Sequence, residues 1–151
     1  MNWELREAVA ADATQLAAID ASASAYPWPE SRFAPACAYA ASARERVLLL
    51  ELDAQVSGFV VYSRVLDEGS IHNIAVHPSR QGQGAARGLM QGAFELLGKS
   101  GAKRCLLEVR ASNAAARGLY RGLGFQVDCV RKNYYPAATG REDALLMSRE
   151  L

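Results

Sequence analysis

The chain has 151 residues, half of them apolar and 22% charged, with a formal net charge of +1. That length fits one domain, residues 1–151, burying about 70% of the surface an unfolded chain exposes, so folding requires neither a metal nor a disulfide. No apolar run approaches a membrane span, the start Met1-Asn2-Trp3-Glu4-Leu5-Arg6 has no basic region followed by an apolar core, and the charge balance is too even for a general nucleic-acid binder, so the expectation is a cytoplasmic protein with no membrane and no direct nucleic acid as partner.

Trp3 to Arg6 reads as a short strand. Asp12 to Ala23 reads as a helix with Leu16 and Ile19 on one side and Asp12 as its cap. Tyr26-Pro27-Trp28-Pro29 breaks it, because proline cannot continue a helix. A second helix is predicted over Glu30 to Ala41, weakened by Pro35. Val47 to Leu52 and Val56 to Val65 are strands joined by a turn at Asp53-Ala54-Gln55, and Ser70 to Val76 is a third, ended by Pro78. Ala85 to Leu97 carries Leu89, Met90, Ala93, Phe94 and Leu97 on one helical face, and Gly101 stops it. Arg104 to Val109 is a strand. Asn113 caps a helix that ends at Gly122 or Gly124. Phe125 to Arg131 and Asp143 to Arg149 form a last pair of strands, leaving 26–32 and 133–141 as loops. The order β-α-α-β-β-β-α-β-α-β-β predicts a mixed α/β (α+β) domain rather than a strict βαβ alternation.

The chemistry concentrates in residues 80–125. Gln81-Gly82-Gln83-Gly84-Ala85-Ala86 directly follows a strand and directly opens a helix, with Arg80 and Arg87 at its ends. A helix start carries unsatisfied N–H groups and partial positive charge, and small residues let a pyrophosphate come close to them. A tight strand-to-helix turn also wants glycine for its own sake. Gly82, Gly84 and Gly88 come near a dinucleotide fingerprint, but that motif belongs to the first strand and helix of a doubly wound sheet, and several elements precede it here.

Glu108 interrupts the apolar run Cys105-Leu106-Leu107-Glu108-Val109. Such a carboxylate either faces outward or is buried for a purpose, in which case burial raises its pKa toward the range of a useful base. Tyr120 is either a core aromatic or a proton donor to a leaving thiolate. Cys37, Cys105 and Cys129 form no CxxC pair, and His72 and His77 add no zinc spacing, so no metal is expected. Cys105 and Cys129 read as small buried hydrophobes, and both histidines as structural.

The charge is uneven: residues 1–75 hold 5 Lys and Arg against 10 Asp and Glu, and residues 76–151 hold 12 against 6. A basic half suits an anionic ligand and an acidic half a cationic one; the alternative is a solvated surface with a random bias.

Assembled, these residues resemble the Gcn5-related N-acetyltransferases. Gln81, Gly84 and Ala86 fit that superfamily's Q/R-x-x-G-x-G/A turn, and the element order matches its fold along nearly the whole chain. Tyr26-Pro27-Trp28, Asn73-Ile74-Ala75-Val76, Leu107-Glu108-Val109-Arg110-Ala111-Ser112-Asn113, Arg131-Lys132-Asn133-Tyr134-Tyr135-Pro136 and Gly140-Arg141-Glu142-Asp143-Ala144 are similar to its RimI branch. Those bacterial enzymes acetylate the N-terminal alanine of a small-subunit ribosomal protein. The resemblance implies acetyl-CoA as donor, coenzyme A as product, Glu108 as general base and Tyr120 as general acid. It implies backbone pairing of Ile74, Ala75 and Val76 with the pantetheine arm, a pyrophosphate held by Gln81, Gly82, Gln83, Gly84, Ala85, Ala86 and Arg87, and cofactor contact at Asn113. Gly82 stands where relatives often carry a basic residue. Tyr26, Trp28, Tyr134 and Tyr135 become candidate walls of the acceptor groove, core packing being the alternative for each, and Glu30 and Glu68 become candidate contacts for a basic acceptor, the ribosomal-protein N-terminus being the partner of a monomer or weak dimer. A lysine or small-amine acetyltransferase, and a non-catalytic acyl-CoA-binding module, are the alternatives.

Overall fold

The computed structural model describes residues 3–38 and 44–151. Its elements are β1 (Trp3–Glu7), α1 (Ala13–Ala23), α2 (Glu30–Cys37), β2 (Glu45–Leu52), β3 (Gln55–Val65), β4 (Glu68–Val76), α3 (Ala85–Ser100), β5 (Arg104–Arg110), α4 (Ala114–Gly122), β6 (Gln126–Ala137) and β7 (Gly140–Glu150), with short 3-10 turns at Ala10–Asp12 and Pro78–Arg80. The strands form one seven-stranded sheet in the order β1-β2-β3-β4-β5-β7-β6. Among the described residues only β4 and β5 pair in parallel. The mixed α/β architecture and the element order are those expected. Among the described residues no helix is long and apolar enough to cross a membrane.

Helices cover both faces, which is why β2 and β3 are apolar on both. Leu48, Leu50, Val60, Tyr62, Cys105, Leu107 and Val109 pack with Leu89, Met90, Ala93 and Leu97 of α3 and Tyr120 of α4. Val47, Leu49, Phe59, Val61 and Ala75 pack on the opposite face with Leu16 and Ile19 of α1 and Phe33 and Cys37 of α2. The α3 stripe is the predicted one, with Phe94 only partly buried against it. Gly101 ends α3 at φ 108°, a left-handed conformation that favours glycine.

Several local expectations are corrected. Asp12 stands at the N-cap of α1 as expected, but its side chain makes no capping bond there; its Oδ2 accepts from the Val9 N–H at 2.7 Å and its carboxylate takes the Arg6 guanidinium at 2.9 and 3.1 Å. The second helix ends at Cys37, and residues 39–41 of that prediction lie outside the described residues. The β2–β3 turn is the Asp53-Ala54 pair, at φ 52° and 66°, with Gln55 already in β3. Cys129 is exposed, not buried, because β6 is an edge strand that no helix covers; Cys105 is buried as expected. The last hairpin is longer than its apolar pattern. Tyr135↔Glu142, Pro136↔Arg141 and Ala137↔Gly140 continue the ladder beyond an irregularity after Arg131, so most of 133–141 is strand rather than loop.

Candidate active site

The site begins where the sheet comes apart. β4 and β5 pair from Glu68↔Arg104 to Ile71↔Leu107 and no further, although β4 continues to Val76 and β5 to Arg110. The cause is local. Val61 pairs with Asn73 and Tyr62 with Ile71, so His72 is the extra residue of a β-bulge. A bulge bends its strand and sharpens its twist, which here turns the end of β4 away from β5. Asn73, Ile74, Ala75 and Val76 keep β3 on one side and, among the described residues, have no strand partner on the other. His72 is held by Ser63, whose Oγ lies 2.6 Å from its Nε2.

Glu108 is the first β5 residue beyond the last β4–β5 pair. Its neighbours Leu107 and Val109 are buried with α3 and α4, so strand alternation puts Glu108 on the opposite face. Its side chain is 33% exposed and its carboxylate lies 3.6 Å from the Arg131 guanidinium, so the buried alternative is not the one adopted. Tyr120 approaches from the other face. It is 6% exposed, its ring centroid is 5.7 Å from that of Phe125, and burial, with Cys105 adding to it, pushes its pKa up to about 12. Tyr120 is thus a core aromatic and a fully protonated phenol at once. Glu108 and Tyr120 thus lie on opposite faces of the sheet.

The glycine turn sits at the far end of β4. Gly82 and Gly84 adopt φ 77° and 83°, where a side chain would be strained. Gly84 is the N-cap of α3 without a side-chain cap, and no acidic residue lies in the first turn. No side chain caps the first N–H groups of α3, which a helix start leaves without intrahelical partners, and a Cβ built at Gly82 would meet nothing within 4 Å. This cradle fits a pyrophosphate. The Gln81 side chain donates to the Val76 carbonyl at 3.0 Å, tying the turn back to the open strand. Gln83, Ala86 and Arg87 follow on the turn and first helical turn, with Ala85 buried beneath it. Asn113 caps α4 as expected, accepting from the Ala116 N–H at 3.1 Å.

On the Glu108 face, Arg110 is the organising residue. Its guanidinium lies 3.4 Å from the Tyr26 ring centroid and 4.3 Å from that of Tyr135, and it donates to the Pro136 carbonyl at 2.8 Å. The Tyr135 hydroxyl is held up in pKa by burial first and then by the neighbouring Glu108 charge. Glu108, Tyr26 and Tyr135 are thereby brought together. Tyr134 packs edge-on against Tyr135 at 5.0 Å but is 42% exposed, at the rim. Trp28 is half-buried against Phe33, with rings 5.4 Å apart, and its backbone N–H donates to Asp20 Oδ2 at 2.9 Å. Glu68 is not on this side; it starts β4 at the closed end, 3.9 Å from Arg104. Arg110, Arg131, Asp20 and Asn73 were not foreseen as site residues. Strand alternation offered one signal, since Arg110 lies two residues beyond Glu108 and so on its face.

A profile of the acetyltransferase (GNAT) family matches residues 12–125. The [Ribosomal protein bS18]-alanine N-acetyltransferase of Escherichia coli strain K12 is 42% identical over 132 residues, 86% of this chain and 85% of that protein. The crystal structure of the ribosomal-protein-S18-alanine N-acetyltransferase from Escherichia coli superposes with a TM-score of 0.89 at 37% identity, covering 99% of this chain and 94% of that one. The PaiA N-acetyltransferase from Thermoplasma acidophilum, solved in complex with coenzyme A, shares the fold with a TM-score of 0.82 at 15% identity over 100% of both chains.

Proposed function

The chain belongs to the GNAT acetyltransferase family, and from that premise we propose that it transfers the acetyl group of acetyl-CoA to the N-terminal α-amine of an alanine-terminated small-subunit ribosomal protein. The observation that carries the reading is the split between β4 and β5, with Glu108 at its first unpaired position. An open strand edge offers backbone N–H and C=O groups to an amide-bearing arm such as pantetheine. The Gly82–Arg87 cradle at one end suits the pyrophosphate, and Asn113 at the start of α4 is the further cofactor contact.

Bound acetyl-CoA supplies the thioester carbonyl that the free amine attacks. Glu108 accepts the amine proton, through a water. Backbone N–H groups at the open edge near Val76 polarise the carbonyl. Tyr120, protonated at any physiological pH, gives its proton to the departing sulfur. Tyr26, Trp28, Tyr134 and Tyr135 wall the acceptor groove on the Glu108 face. An α-amine has a pKa of ~7.8 and a lysine ~10.4, so at neutral pH the former is a few hundred-fold richer in its reactive neutral form. A carboxylate base acting through water suits that acceptor.

The test is mass spectrometry after incubation with acetyl-CoA and two peptides. One begins with the alanine of the host's small-subunit ribosomal protein; the other has that N-terminus blocked and a free lysine. Acetylation of the first alone is expected. Acetylation of the second would move the activity to lysine side chains, and of neither, to a small amine or a non-catalytic acyl-CoA-binding role.

A further inference from the structure

Asp20 is a costly residue for its position. It lies inside α1, where aspartate is a poor helix former, and is 1% exposed. The rest of the buried face of α1 is apolar: Ala13, Leu16 and Ile19. Burying a carboxylate there is unfavourable unless its oxygens are well partnered. Oδ2 is: it accepts from the Trp28 N–H at 2.9 Å and from the Asn73 side-chain amide at 2.8 Å. Oδ1 is not, and among the described residues it is the buried side-chain polar atom without a hydrogen-bond partner. A residue kept for stability alone would be replaced with gain by an apolar one, so the group it joins is informative.

That group spans the site. Trp28 belongs to the loop that walls the acceptor side, and its indole is wedged between Phe33 and the Arg32 guanidinium. Asn73 is the first β4 residue past the His72 bulge and immediately precedes Ile74, Ala75 and Val76 on the open edge. One carboxylate oxygen therefore joins the acceptor loop to the strand that borders the donor.

We propose that Asp20 is a positioning residue for acetyl transfer, fastening the Trp28 loop to the open end of β4 so that acceptor and donor are held in one register. The assignment rests on the acetyl-transfer reading above. Both bonds fall on Oδ2, so Asp20→Asn keeps them with its amide oxygen in that place and its amide nitrogen where Oδ1 stands, whereas Asp20→Leu removes the shared acceptor. Asn73→Leu removes one of the two donors. Steady-state kinetics with the alanine peptide, coenzyme A affinity by titration calorimetry, and Trp28 emission in a Trp3→Phe background are measured for each. Asp20→Leu is expected to raise the acceptor KM about tenfold with kcat within about threefold, and Asp20→Asn to keep both within about threefold of wild type. A folded Asp20→Leu with unchanged acceptor KM would overturn the assignment, as would an Asp20→Asn that raises the acceptor KM as far as Asp20→Leu does. If Asp20→Leu does not fold, Asn73→Leu decides, by whether its acceptor KM rises. A wild-type chain inactive on every peptide would sink the acetyl-transfer reading instead. The tie is then read from Trp28 emission and coenzyme A affinity, and an Asp20→Leu that alters neither overturns it.

Discussion

Tyr120→Phe removes one oxygen from a buried ring and separates two roles that the structure superimposes. The ring contacts with Phe125 and the α3 core survive, so the folded state at neutral pH is expected to change little. The hydroxyl is held at a pKa of about 12 by burial first and by Cys105 second. At pH 8 roughly one molecule in ten thousand has lost that proton, so the acid form is present throughout the working range. Losing a positioned general acid costs about a hundredfold to ten-thousandfold in rate. The kcat of Tyr120→Phe at saturating peptide, followed by release of the coenzyme A thiol, should fall by that factor. The same burial predicts a stability signature. The folded pKa lies above the unfolded value of about 10, so the contribution is fully present below pH 10 and is lost as pH rises through 12. Two pKa units correspond to about 3 kcal/mol, which should appear as a steeper alkaline loss of stability in wild type than in Tyr120→Phe during urea titrations between pH 9 and 12. A variant within tenfold of the wild-type kcat would refute the acid role, and superimposable alkaline limbs would refute the burial argument.

Glu108→Gln should lower kcat about a hundredfold or more near pH 7, with the deficit shrinking above about pH 8 as the α-amine loses its own proton; a deficit independent of pH would count against a base. Gly84→Ala forces a side chain into φ 83°, at a strain of about 1–2 kcal/mol, and should weaken coenzyme A binding by about tenfold in calorimetry while kcat at saturation stays near wild type. Its Cβ would meet only Trp3 at 3.9 Å, an ordinary contact, so unchanged affinity would mean that the turn does not hold the cofactor. The Arg6 guanidinium holds the Asp12 carboxyl below its ordinary value, so that contribution is present above about pH 3.9 and is lost as pH falls through the folded pKa. Asp12→Asn should flatten the acid limb of the stability curve below about pH 4, and identical acid limbs would show that the pair contributes nothing.

The order of elements, the helix cap at Asn113, the stop at Gly101 and the glycine turn before α3 could be read from the chain alone. Each is a bond between residues a few positions apart, or a backbone conformation that one residue type favours. The roles of Glu108 and Tyr120 came from resemblance to a family, since periodicity left each with two readings. What decided between buried and exposed for Glu108 was sheet pairing. Leu107 and Val109 are claimed by α3 and α4, and the opposite face follows. The split itself depends on one extra residue, His72, which is a bulge only in relation to β3. The final hairpin outruns its apolar pattern because backbone pairing continues where β6 has no helix over it to demand apolar side chains. Asp20, Trp28 and Asn73 meet across up to 53 residues of chain, and no pattern within any one segment joins them. Local hydrogen bonding and backbone preference are written in neighbouring residues, whereas strand register and shared carboxylate oxygens exist only once distant segments pack together.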